Sequence, residues 1–98
     1  MDDRVQKYRA TLETAMRRLQ PRITSGRIIG SDMTQFLLAE RDARSVEIYG
    51  SEGSGVFIDP AVGDELQGEI AYPSLDLALD AVVRWLDGCS LEELRPAV

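Results

Sequence analysis

From Ser74 to Gly88 the chain is apolar at almost every position. Leu75, Leu77, Ala78, Leu79, Ala81, Val82, Val83, Trp85 and Leu86 are interrupted only by Asp76, Asp80, Arg84 and Asp87. Steps of four, four and three set those polar residues on one stripe of a helix, and every other side then needs cover. Ser74, following Pro73, has the chemistry of an N-cap, and Gly88 stands where a helix-ending glycine belongs. The spacing predicts a helix over 75–87 that cannot be stable alone. It requires a sheet on one side and another helix beside it, which restricts the architectures open to so short a chain.

The candidates for that cover lie upstream. Val5, Tyr8, Leu12, Ala15, Met16 and Leu19 recur at three- and four-residue spacing, predicting a helix over about 3–20. Asp2 or Asp3 can cap it, Glu13 and Arg17 can pair along it, and Pro21 ends it. After a Ser25-Gly26 turn and a short apolar patch at Ile28 and Ile29, Asp32-Met33-Thr34-Gln35 has the form of a capping box. With Met33, Phe36, Leu37 and Glu40 at helical spacing, it predicts a second helix over about 32–43. A strand through Gln35–Ala39 is the competing reading.

At Ser45 the period changes from 3.6 to 2. Ser45-Val46-Glu47-Ile48-Tyr49 alternates polar and apolar residues as a half-buried strand does. Gly50–Gly55 reads as a turn, Val56-Phe57-Ile58 as a second strand closed by Asp59-Pro60, and Glu69–Tyr72 as a third, beyond a loop around Gly63 and Gly68. Ser90-Leu91-Glu92-Glu93 repeats the capping box and starts a last helical turn, stopped by Pro96. The expected fold is a single α+β domain over 1–98: two N-terminal helices, a three-stranded antiparallel meander, and a C-terminal helix packed on the sheet.

Composition excludes more chemistry than it suggests. The 98 residues contain no histidine, which removes the commonest general base and transition-metal ligand. The single cysteine, Cys89, allows no intramolecular disulfide, fits a reducing compartment, and has no histidine to activate it. Gly50–Gly55 lacks the Lys-Ser/Thr and following helix of a phosphate-binding loop, and Glu52 would repel phosphate. Asp59, Asp64, Glu65 and Glu69 match no alternating-oxygen calcium loop. The expectation is therefore no enzyme, no metal and no cofactor. There is no basic-then-apolar leader and no apolar run of membrane-spanning length, so the expected location is cytoplasmic, with no membrane partner.

Charge is divided along the chain. Residues 1–30 carry seven bases against three acids, whereas 31–98 carry fourteen acids against four bases, giving a net charge of −6. Negative charge disfavours nucleic acid as a ligand, and the bases of 3–20 surround that helix rather than forming one stripe. A basic protein is the expected partner. Strand alternation puts Glu47, Tyr49, Phe57, Glu69 and Ala71 on the sheet face away from Val46, Ile48, Val56, Ile58, Ile70 and Tyr72. Tyr49 and Phe57 then form an aromatic patch rimmed by acids, the usual make-up of an interface anchor. The candidate partner-binding residues are Glu47, Tyr49, Glu52, Phe57, Asp59, Asp64, Glu65 and Glu69.

In size and acidity the chain resembles, by analogy and without a shared motif, the immunity proteins of bacterial nuclease toxins. The function this implies is an inhibitor that neutralises a basic, nuclease-like toxin. The alternative is a homo-oligomeric structural or adaptor domain, with the sheet face or the stripe of the first helix as the seam of a homodimer.

Overall fold

The computed structural model describes residues 3–95 and has the element order α1 (Asp3–Leu19), β1 (Ser25–Ile29), β2 (Phe36–Arg41), β3 (Arg44–Ser51), β4 (Gly55–Val62), β5 (Glu65–Leu66), β6 (Ile70–Tyr72), α2 (Leu75–Leu86) and α3 (Leu91–Leu94). Asp2 and Pro96 lie outside the described residues. The six strands form one sheet in the order β1-β2-β3-β4-β5, with β6 pairing β4 beyond the β5 contact. Every pairing is antiparallel.

Both long helices lie on the same face. The rows Ile28–Leu37–Ile48–Ile58–Ile70 and Gly50–Val56–Tyr72 run across the strands on that side. They bury Leu37, Ile48, Val56, Ile58, Ile70 and Tyr72 against Leu12, Ala15 and Leu19 of α1 and Ala78, Val82 and Trp85 of α2. The demand made by the 75–87 pattern is met as expected, by a sheet below and a helix beside. Leu77 is the exception on α2, being 51% exposed.

Trp85 fastens α2 to the sheet. Its Nε1–H donates to the Ser45 carbonyl at 3.0 Å, and the Arg44 guanidinium lies 4.1 Å from its ring centroid. Arg44 Nη1 also donates to the carbonyls of Trp85 and Cys89, at 2.9 and 2.6 Å, satisfying acceptors that the end of α2 leaves open. The Tyr72 hydroxyl donates to the Leu94 carbonyl, which holds α3 against the core. The capping box of Ser90 and Glu93 forms as its sequence predicts.

The polar stripe of α2 pairs with arginines throughout. Asp76 meets Arg18 of α1 at 2.6 Å, Asp80 meets Arg84 at 3.1 Å, and Asp87 meets Arg41 of β2 at 2.5 Å. Of these, the Arg18–Asp76 pair joins the basic first segment to the acidic remainder. All three pairs are solvent-exposed enough that each contributes about 0–1 kcal/mol.

Two expectations are corrected. There is one N-terminal helix and not two, because residues 32–43 form a 3-10 turn at Asp32–Thr34 followed by strand β2. The capping box is not made there: Gln35 is buried and its side-chain amide donates to the carbonyls of Asp32 and Val5, at 2.9 and 3.2 Å, tying the turn to α1. Leu37 and Ala39 point into the core while Phe36 and Leu38 face away from it, so the apolar run is a two-sided strand. Asp42, at φ +56, opens the two-residue turn from Arg41 to Arg44 in the left-handed conformation that aspartate tolerates better than most residues.

The meander also has more than three strands. Ser25-Gly26 is not a turn but the start of β1, Glu65-Leu66 within the expected loop forms β5, and β4 continues through Asp59-Pro60 to Val62. A proline survives inside a strand only where its missing N–H is not needed. Here the outer neighbour of β4 changes from β6, opposite residues 56–58, to β5, opposite 61–62.

Candidate functional site

Among the described residues, no helix lies on the second face of the sheet. Strand registers set its side chains in rows that cross the strands. One row is Arg27–Leu38–Glu47–Asp59, and another is Ser25–Glu40–Ser45–Ala61–Leu66. A third holds Ile29 beside Phe36 and Tyr49 beside Phe57, which in turn is opposite Ala71. Phe36 and Tyr49 each lie one residue beyond the last β2–β3 pair, Leu37–Ile48, and wall a common depression. Tyr49 and Phe57 are stacked at 5.5 Å between centroids, with ring planes 16° apart. Phe36, Leu38, Tyr49 and Phe57 are each half-buried.

Next to the rings, Glu47 and Asp59 stand directly opposite each other on neighbouring strands. Like charges in that position oppose pairing. Burial first, and the Asp59 charge second, hold the Glu47 carboxyl above its ordinary value of 4.5. Asp59 Oδ1 is sealed from solvent, and no hydrogen-bond donor among the described residues reaches it. A depression of about 380 Å³ opens here, walled by Met33, Phe36, Glu47, Tyr49 and Asp59. A second, of about 440 Å³, lies between α1 and the β1–β2 connection but has no comparable pairing of rings and carboxylates.

The raised Glu47 value gives a signed expectation. The folded state binds more protons than the unfolded one just above pH 4.5, so this residue's contribution to stability declines as pH rises through that window. Glu47→Gln removes the decline. Denaturation curves between pH 4 and pH 7 are expected to show the variant gaining on wild type as pH rises; a constant difference would contradict the assignment.

The sequence-predicted residues separate into three groups. Glu47, Tyr49, Phe57 and Asp59 come together on the open face. Asp64 and Glu65 lie exposed at the β4–β5 turn, and Glu69 is exposed just before β6. Glu52 has a folding role in addition to its charge: its Oε2 accepts from the Leu75 backbone N–H at 2.6 Å, supplementing Ser74 at the start of α2. A carboxylate is well placed there, where backbone donors and the helix dipole converge. Glu52→Ala is expected to cost about 1 kcal/mol in chemical denaturation, the typical loss of a cap. A variant as stable as wild type would return Glu52 to the purely recognitional set.

Arg27 belongs to the open face and was missed because Ser25-Gly26 read as a turn, and Phe36 and Leu38 because residues 32–43 read as helix. The Asp42-Ala43 turn signal between two β-prone runs could have found them. Asp59, Asp64, Glu65 and Glu69 do not converge: among the described residues, no group of three or more Asp, Glu, Cys or His side chains is placed to hold a metal ion. Cys89 is half-buried behind α2. No helix among the described residues is long and apolar enough to cross a membrane. Comparison with protein-family models, curated proteins and solved structures returns no match.

Proposed function

We propose that this chain is a non-catalytic binding module whose open sheet face docks a basic protein, acting as an immunity or inhibitor protein that neutralises a nuclease-like bacterial toxin. The observation that carries the reading is the Tyr49–Phe57 stack, with Phe36 nearby, on a face that no helix of the described residues covers. Beside it stands the Glu47–Asp59 pair, which no ion pair among the described residues neutralises. A rigid antiparallel sheet presents such a stack with little ordering cost, and aromatic anchors within a charged rim resemble binding hot spots. The net charge of −6 supports a cationic partner, because complementary potentials accelerate encounter and allow a small domain to cover a basic active site.

The test is capture of the partner from the source organism, followed by binding kinetics at two salt concentrations. Asp64→Lys with Glu65→Lys is expected to slow association and flatten its salt dependence, with little change in dissociation. An acidic partner, or association indifferent to both salt and the reversal, would end this reading.

A second reading, a homo-oligomeric structural or adaptor domain, is favoured by one feature. Arg27 lies in the same row as Glu47 and Asp59, two strands from Glu47, so a second copy turned face to face could set Arg27 against those acids. Light scattering on the purified chain distinguishes the two: a stable dimer that Arg27→Ala dissociates supports the second reading.

A further inference from the structure

We propose that the outer edge of β1 takes an extended segment of a partner protein as an added strand, with an acidic side chain opposite Arg27 and apolar side chains towards α1. This goes beyond the docking reading of the open face and does not rest on it.

The two margins of the sheet are built differently. At the far margin β5 has two residues and β6 three, Pro60 stands in β4 between the stretches they pair, and Pro73 follows β6. Short strands and prolines close an edge to further pairing. β1 has neither device. It runs for five residues, Ser25–Ile29, without proline, and β2 is its only strand neighbour among the described residues. Alternate residues of an edge strand turn their N–H and C=O groups outwards, so β1 offers a template for one more strand.

A trough follows this edge. Depressions of about 440 Å³ lie between α1 and each end of β1, one walled by Met16, Ile23 and Gly26, the other by Val5, Arg9 and Gly30. Side chains of an added strand that turn towards α1 would enter them.

Alternation fixes the pattern of the incoming segment. Arg27 lies on the open face, in the row Arg27–Leu38–Glu47–Asp59. The residue opposite it on an added strand shares that face, and the two flanking residues turn towards α1 beside Gly26 and Ile28. The trough itself sets Arg9 and Arg17 against Glu13 and Asp32, so the choice of charge is made at Arg27, the only charged residue of β1. Opposite charges directly across a strand pair are favourable and like charges are not, which selects an acid there. The same rule disfavours a second copy: β1 paired antiparallel with its counterpart over all five residues sets one Arg27 against the other.

The probe is acetyl-Thr-Val-Glu-Val-Thr-amide, titrated into the isotope-labelled protein. Its controls are the peptide with lysine in place of glutamate and the peptide methylated at every backbone nitrogen. The glutamate peptide is expected to shift the amide resonances of Ser25–Ile29 and slow their hydrogen exchange, and the methylated peptide to do neither. Arg27 is exposed, so Arg27→Glu is expected to keep the fold. Its affinity for the glutamate peptide should fall about fivefold, as a cross-strand charge pair becomes a repulsion, and its preference should invert towards the lysine peptide. No shift in β1 at millimolar peptide, equal binding of the methylated peptide, or an unchanged preference in Arg27→Glu would each overturn the proposal. Binding lost in Tyr49→Ala/Phe57→Ala would place the peptide on the open face and overturn the edge assignment. A dimer that protects the β1 amides without peptide would assign the edge to a second copy and overturn it as well.

Discussion

Trp85→Ala is expected to lower the unfolding free energy by about 3–5 kcal/mol, the range for removing a buried aromatic. Trp85 is only 3% exposed, and its loss removes three things together. Most of the effect comes from the cavity left between α2 and the sheet. The hydrogen bond to Ser45 goes as well, and Arg44 loses the ring beneath its guanidinium while remaining bonded to the end of the helix. The total is a large share of the 5–15 kcal/mol that holds a typical domain together. Chemical denaturation measures it directly. A variant within about 1 kcal/mol of wild type, the behaviour of a surface substitution, would mean that α2 is not anchored where the structure puts it.

The largest expected effect on binding comes from the opposite face. Tyr49→Ala with Phe57→Ala is expected to weaken the partner complex by about a hundredfold or more, since hot-spot truncations cost about 2 kcal/mol or more each. The loss should appear mainly as faster dissociation. Both rings are half-buried on a face that no helix among the described residues covers, so the double variant is expected to keep its fold, with intact circular dichroism and a cooperative unfolding transition. Retained binding with retained fold would show that the partner docks elsewhere. Together with the Trp85 variant, it separates the two faces of one sheet: one side holds the domain together, and the other is the proposed docking face.

Much of this arrangement is legible in the sequence, for reasons that differ between elements. Helix α2 declares itself because its polar residues fall on one stripe and both ends carry capping chemistry. The alternation in 45–49 assigns each side chain of β3 to a face, and with it the juxtaposition of Glu47, Tyr49 and Phe57. The segment 32–43 misleads because Phe36-Leu37-Leu38-Ala39 is apolar on both faces. A continuous apolar run carries no period of its own, and an acceptor three residues before a glutamine imitates a helix start. Glu52 misleads in another way: its role as a cap depends on Leu75, 23 residues away, and no local pattern records that contact.

Neighbouring residues were enough to establish the α+β class, the amphipathic surfaces of α1 and α2, and the alternation that divides the sheet residues between two faces. Periods of 3.6 and 2, and the chemistry of caps and turns, act over a few positions and can be read without any long-range contact. The number of strands, six rather than three, and the placing of both helices on one face came from the folded chain alone. So did the setting of Glu47 directly opposite Asp59. Each of these depends on register between segments distant in the chain, where one residue of slip would send a side chain to the opposite face.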